Sequence, residues 1–262
     1  MPQSTALKSE NGEIIKNHSQ IVIFASGRGS NANEIIHRTL LHEGLPGRIE
    51  NSRVSAVISD NPEAPVLKIA NNYGIGIQAL AYKRPKNIGP FQLGKHNQVR
   101  REYSKFLAEQ ALQFSPDIIV FAGFLFVVSE EFLDAFYNRE DRKVVPVINL
   151  HPALLHPFGD NSVEVNGVTI PVLKGTDAIK QAYYQQLPFT GVTVHLVLPR
   201  IGFDVGPKLG QEVIAIDPSW SLEELEERVH TVEHELLPAV INRFAAGDLV
   251  AKDILDGFYG PY

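Results

Sequence analysis

This chain of 262 residues predicts an α/β protein built on a mostly parallel, twisted sheet with flanking helices. Three observations predict it. Short apolar runs alternate with stretches of helical period through short turns, as right-handed parallel crossovers require. The first run, Ile21 to Ala25, is continuously apolar, β-branched or aromatic, the mark of a strand buried on both faces. The stretches richest in chemical groups, 26–31, 122–126 and 149–152, each follow such a run. In open α/β sheets ligands bind beyond the carboxyl ends of the strands, so one shared cleft and a Rossmann-like layout follow.

The elements read in order as follows. The first strand breaks at Ser26-Gly27-Arg28-Gly29-Ser30-Asn31 and passes into a helix from about Asn33 to His42. Val54 to Ile58 form a second strand, ending at Ser59-Asp60-Asn61-Pro62. A helix then carries Val66, Ile69 and Ala70 toward Tyr73 and Gly74, and a short strand spans Ile75 to Leu80. Residues 81–97 read as a loop. Helical spacing of Tyr103, Phe106, Leu107, Gln110 and Ala111 marks a helix from Val99 to Phe114, followed by a strand from Ile118 to Phe121. Val144 to Leu150 reads as one strand, ending at His151-Pro152. Residues 160–172 alternate around Asn166-Gly167 and predict an inserted β-hairpin. Gly175 to Tyr184 reads as helix, and Thr190 to Leu198 and Leu209 to Ile216 as strands. Ser221 with Glu224 matches a capping box opening a long helix through Leu225, Val229, Val232, Leu236, Val240 and Phe244 to Gly247. Residues 248–262 carry weak signals. The chain divides into a polar tail (1–19), a single domain (20–248) and a C-terminal extension (249–262).

Composition narrows the function. Apolar residues make up 44% and charged residues 21%, which excludes wholesale disorder. There is no cysteine, which excludes disulfide scaffolds, thiolate metal sites and cysteine nucleophiles. With 24 basic against 30 acidic residues and no long basic run, nucleic acid is not an expected partner. The densest basic cluster, Lys83-Arg84-Pro85-Lys86, reads as a solvated loop. The tail lacks the apolar stretch of a signal peptide, and the longest apolar run, Ile118 to Val128, falls short of the roughly 20 residues a bilayer span needs. A cytoplasmic protein with no membrane partner is expected.

Several groups suit catalysis or binding, each beside a structural alternative. The Gly27-x-Gly29 turn between a strand and a helix suits a phosphate. With Asp60 it also approaches a dinucleotide fingerprint, and it can equally be a tight turn alone. Asn149 and His151, two apart at a strand end, project to one face and can serve an oxyanion or cap a turn. Asp204, flanked by Gly202 and Gly206, can orient a histidine or close an Asx turn. His230 and His234 have a spacing that metals use, but no third ligand accompanies them and no metal is expected. Glu233 reads as a helix-surface carboxylate and His195 as a satisfied, partly buried strand histidine. No G-x-S-x-G elbow is present.

Taken in order, Ala25-Ser26-Gly27-Arg28-Gly29-Ser30-Asn31, Ala122-Gly123-Phe124, Asn149 to Leu154, Gly191 to His195, Asp204 to Pro207 and Arg228 to His234 resemble the glycinamide ribonucleotide formyltransferase family, within the folate-dependent formyltransferase superfamily. The resemblance runs from about residue 20 to residue 248. It implies transfer of a formyl group from the cosubstrate 10-formyltetrahydrofolate to the amine of glycinamide ribonucleotide in purine synthesis. It matches Asn149, His151 and Asp204 to the catalytic triad, and Gly29, Ser30 and Asn31 to the phosphate-binding turn. It matches Glu233 to a substrate-binding carboxylate, with Gly123 and Pro152 lining the same cleft. The folate pocket would involve Val127, Val128, Ile201 and Gly202. A homodimer is compatible with it, and no metal is implied. The related alternatives are a formyltetrahydrofolate hydrolase, a sugar-amine formyltransferase and a non-catalytic binding homologue. The chain departs from the family pattern at Phe126, where a basic residue is common in bacterial members. It departs again in an insertion between Pro157 and Gly175, in a longer loop before Asp204 that includes Pro199 and Arg200, and in the tail.

Overall fold

The computed structural model describes residues 18–74, 76–86, 88, 98–138 and 143–259. The tail up to residue 17 and most of the 87–97 stretch of the expected loop lie outside the described residues. Strand β1 (Ser19–Phe24) leads into helix α1 (Ser30–Leu40), β2 (Ser52–Ser59), α2 (Pro65–Tyr73) and β3 (Gln78–Ala81). Then come α3 (Gln98–Leu112), β4 (Ile118–Phe121), α4 (Glu130–Asp134), the two-residue strands β5 (Tyr137–Asn138) and β6 (Lys143–Val144), and β7 (Val147–His151). The hairpin strands are β8 (Ser162–Val165) and β9 (Val168–Pro171); α5 (Ala178–Tyr184), β10 (Phe189–Leu196), β11 (Lys208–Ala215), α6 (Leu222–Ala246) and α7 (Ala251–Tyr259) complete the chain.

Seven strands form the main sheet in the order β11-β10-β7-β4-β1-β2-β3. The pairs β1–β2, β2–β3, β1–β4 and β4–β7 are parallel, while β10 runs antiparallel to both β7 and β11. The chain builds outward from β1 to β3, then returns to add β4 on the other side of β1. That reversal opens a crevice beyond the strand ends at β1 and β4. Register places Phe24 beside Phe121 and Phe121 beside Asn149. The glycine turn and the Asn149–Pro152 segment therefore stand about 10 Å apart, two strand spacings, with 122–126 between them.

Alternation divides the core. Ile21 and Ile23 pack with α1 and α6 residues such as Ile35 and Val229, whereas Val22 and Phe24 pack with α3 and α4 residues such as Leu107 and Phe132. Both faces are buried, which is why β1 reads as an unbroken apolar run. Helix α6 carries the predicted capping box, with Ser221 and Glu224 each bonding the other's backbone, and ends on Gly247 in the left-handed conformation.

Three expectations are corrected. Val144 to Leu150 is not one strand: Val144 pairs with Tyr137 in a separate antiparallel ladder, and β7 begins only after Pro146, which has no N–H to donate to a ladder. Residues 251–259 form a helix that the sequence signals only weakly. Arg84 is not simply solvated, since its Nη1 lies 3.0 Å from the buried Asp60 carboxylate.

The inserted hairpin forms its own two-stranded sheet, with Asn166 and Gly167 at φ 51° and 79°, the left-handed pair a tight hairpin turn needs. It rests on Leu154 through Val165 and Ile170. Its ends meet where the Val172 N–H donates to the Asn161 carbonyl at 2.8 Å, so a short linker can replace it. Replacing residues 160–172 with glycines is expected to leave a cooperatively folding protein whose Tm drops by several degrees, as exposure of Leu154 predicts. Loss of a cooperative melt would mean that the hairpin belongs to the main folding unit.

Candidate active site

The site is assembled at the strand ends. Ala25 N–H bonds the Ile58 carbonyl at 3.0 Å, and Ser26 N–H bonds the Gly123 carbonyl at 3.0 Å. Ser26 Oγ donates to Asp60 Oδ1 at 2.6 Å and accepts from Leu125 N–H at 2.9 Å. Asp60 thus ties the ends of β1, β2 and β4 together and is held on its other oxygen by Arg84. A carboxylate so occupied is not presented to a ribose, which removes the structural basis of the dinucleotide alternative.

Gly29 caps α1 at φ 80°. A Cβ there would stand 2.4 Å from Val66 Cγ2, at the start of α2. Glycine is needed both for the left-handed backbone and for this approach. The first-turn N–H groups that follow it lack helical acceptors and face outward as anion donors. Gly29→Ala is expected to raise the KM for a phosphorylated substrate by about tenfold or more, because Val66 and α1 must separate and the donors lose their aim. Steady-state kinetics would show it, and an unchanged KM would remove the turn from substrate binding.

Asn31, in the first turn of α1, donates its amide to Glu233 Oε2 at 3.0 Å, across 202 positions of sequence. Asn31 Oδ1 is buried without a partner. Glu233, 4% exposed, also accepts from His230 Nδ1 at 2.9 Å. The hydrogen bond to Glu233 is the main cause that holds His230 above its ordinary pKa. In the structure the partner of His230 is Glu233, one residue short of His234. Among the described residues no group of three or more His, Cys, Asp or Glu side chains is placed to hold a metal ion.

On the opposite face of the sheet stand Asn149, His151 and His195. His195 pairs with Asn149, and Thr193 with His151, across the β7–β10 ladder. His195 is fully buried; burial is the largest cause that lowers its pKa to about 4, so the ring is neutral. Its Nδ1 is 3.0 Å from the Leu196 carbonyl, which can only accept, so the proton sits on Nδ1. Nε2 is then an acceptor and takes a hydrogen from the Asn149 amide nitrogen at 3.2 Å. This holds one hydrogen of the Asn149 amide NH₂ on His195 and leaves the other available to a further acceptor. His151 Nε2 donates to the Leu173 carbonyl at 2.7 Å, and its Nδ1 faces Asp204 Oδ2 at 3.6 Å. Asp204 Oδ2 also accepts from Gly175 N–H at 3.2 Å, and its backbone sits at φ 51°. Thr193 fixes the loop after His151, donating to Ala153 O and accepting from Leu155 N–H.

Asp204 is thus brought to His151, with Asn149 on the same face, and Glu233 to Asn31. Gly123 and Pro152 follow the strand ends between these two clusters. Val127 and Val128 follow the 122–126 segment; the Val127 carbonyl accepts from Arg100 Nη1. Phe126 is buried, with the Arg100 guanidinium 4.6 Å over its ring, so this position faces the core. Ile201 and Gly202 lie in the loop before Asp204, which Arg200 ties to α4 by bonds of 3.0 and 2.8 Å to Asp134. The roles of His195, Thr193 and His230 escape local sequence patterns. The first two depend on cross-strand register, and the third on an i,i+3 contact within α6.

The chain belongs to the formyl transferase family, whose model matches residues 19–241. The phosphoribosylglycinamide formyltransferase of Schizosaccharomyces pombe is 30% identical over 229 residues, spanning 86% of this chain and 96% of that protein. The enzyme of the same name from Bacillus subtilis is 29% identical over 226 residues, 86% of this chain and 93% of its own. Among solved structures, phosphoribosylglycinamide formyltransferase from Bacillus halodurans superposes with a TM-score of 0.64 at 28% identity, covering 88% of this chain and 97% of that one. Glycinamide ribonucleotide transformylase 1 from Symbiobacterium toebii gives 0.66 at 28%, covering 91% and 92%.

Proposed function

We propose that the protein transfers the formyl group of 10-formyltetrahydrofolate to the amine of glycinamide ribonucleotide, as the phosphoribosylglycinamide formyltransferases it resembles are named for doing. The observation that carries this reading is the meeting of Asn149, His151 and Asp204 on one sheet face, about 10 Å from a glycine turn suited to phosphate. Gly29, Ser30 and Asn31 hold the phosphate; Glu233 is the substrate-binding carboxylate; Gly123 and Pro152 line the cleft; Val127, Val128, Ile201 and Gly202 border the folate. Residues 20–248 are the catalytic domain, with a tail before it and an extension after it. The reading includes a cytoplasmic enzyme without a metal, nucleic-acid or membrane partner, and it is compatible with a homodimer. Among the described residues no helix is long and apolar enough to cross a membrane.

The chemistry follows from the side chains. The neutral amine attacks the formyl carbon, forming a C–N bond while the carbonyl electrons move onto oxygen. The second hydrogen of the Asn149 amide and the Nδ1 side of His151 stabilise that oxyanion. Asp204 faces the same nitrogen and helps pass the amine proton, directly or through water, to the folate nitrogen as its bond to carbon breaks. The Leu173 carbonyl, by holding Nε2–H, keeps the ring turned so that Nδ1 is the working atom.

The test is turnover of 10-formyltetrahydrofolate with and without glycinamide ribonucleotide, followed by release of tetrahydrofolate. Turnover that requires the amine supports transfer. Equal turnover in its absence would make the protein a hydrolase, a reading in which the glycine turn and the Asn31–Glu233 pair have no task.

A further inference from the structure

Two of the segments by which this chain departs from the family pattern, or extends beyond it, meet each other. The insertion begins against the Asp204 turn: Gly206 N–H donates to the Pro157 carbonyl at 3.1 Å, and a Cβ on Gly159 would lie 3.1 Å from Val205 Cγ2. It ends against the same turn, where Gly175 N–H bonds the Asp204 carboxylate. The turn needs holding. Asp204 sits in the left-handed region at φ 51°, and Gly206 at φ 147° passes so near Leu196 that a Cβ would stand 2.1 Å from its carbonyl oxygen. Between the two grips projects Phe158, 68% exposed, with its ring stacked on Phe258 of α7 at 5.1 Å between centroids and 12° between planes. Helix α7 is itself fixed, since Ile254, Leu255 and Phe258, with Leu249 just before the helix, pack against the core on the α1 and α6 side.

We propose that α7 braces the catalytic aspartate. The Phe258 ring holds Phe158, Phe158 holds the Pro157–Gly159 backbone, and that backbone holds the Val205–Gly206 side of the Asp204 turn. Phe158 and Phe258 are positioning residues for formyl transfer; neither touches substrate. The inference rests on the reading of Asp204 given above. An offset aromatic pair is worth enough to shift the population of a held loop by about tenfold, and misplacing a reacting group by an ångström has a large effect on rate. The brace also accounts for an aromatic side chain kept largely in solvent beside the site.

Phe158→Ala tests it without disturbing the core, because that side chain is mostly solvent-exposed. The expected result is a kcat lower by about tenfold, with the KM for glycinamide ribonucleotide within about twofold and Tm lower by only about 2–5 °C. Phe258→Ala should behave alike in kcat, and Phe258→Tyr, which keeps the stack, should restore it. In an Asp204→Asn background, Phe158→Ala should lower kcat no further, because the group it positions is gone. Hydrogen exchange of the 201–206 amides should quicken in Phe158→Ala. Unchanged exchange, or a kcat loss that recurs in full in the Asp204→Asn background, would overturn the brace. If the wild-type protein does not formylate the ribonucleotide, the proposed function fails, and the exchange measurement still decides the brace.

Discussion

Asp204→Asn is expected to lower kcat by about 10²–10⁴-fold at saturating donor and acceptor, the range that a positioned proton-transfer group supplies. The substitution keeps shape. Asparagine tolerates the left-handed backbone that Asp204 adopts at φ 51°, and its amide oxygen can still accept from Gly175 N–H. What is lost is the carboxylate charge 3.6 Å from His151 Nδ1, to which the proposed mechanism gives a part in the proton's passage. The KM for the ribonucleotide should change little, because the phosphate turn and Glu233 lie on the other face of the sheet. His195 stays neutral in the variant: the Asp204 charge acts to raise its pKa, so removing that charge lowers it further. A variant that keeps near wild-type kcat with chemistry rate-limiting would remove Asp204 from the mechanism.

Much of the fold is legible in the sequence where the signal is local. Ile21 to Phe24 and Ile118 to Phe121 read as buried strands because both their faces are covered. Asn166-Gly167 and the Ser221–Glu224 box identify a hairpin and a helix start by backbone chemistry alone. Val144 to Leu150 misleads because an apolar run carries no information on pairing direction; only the missing N–H of Pro146 marks the break. Helix α7 is hidden because nine residues with Gly257 among them have little intrinsic helicity, and Ile254, Leu255 and Phe258 hold it by tertiary packing. The site divides in the same way. Asn149 and His151 stand out by spacing and Asp204 by its flanking glycines. The partner of His195 is set by register between strands that are 46 positions apart, and His230 finds Glu233 through an i,i+3 contact obscured by the more familiar spacing to His234.

That unread contact bears on the Asn149 amide. Asn149→Ala is expected to lower kcat by about 10²–10³-fold, the usual loss for one oxyanion donor. His195→Phe, which keeps a ring but removes the Nε2 acceptor, should lower kcat less, because Asn149 remains but can rotate away from the cleft. The same residue leaves a signature in stability. In the folded protein its pKa is depressed from 6.5 to about 4, whereas in the unfolded chain it titrates near 6.5. Above 6.5 neither state binds the proton. As pH falls from 6.5 toward 4 the unfolded state takes it up and the folded state does not, so stability falls by up to about 3 kcal/mol across that window. Urea unfolding at pH 7 and pH 5 measures part of it: the wild type should lose about 2 kcal/mol more between these values than His195→Phe does. Equal losses would mean that His195 is not held neutral. The inward hydrogen bond that aims Asn149 would then lack its acceptor, and the kcat difference between the two variants would need another cause.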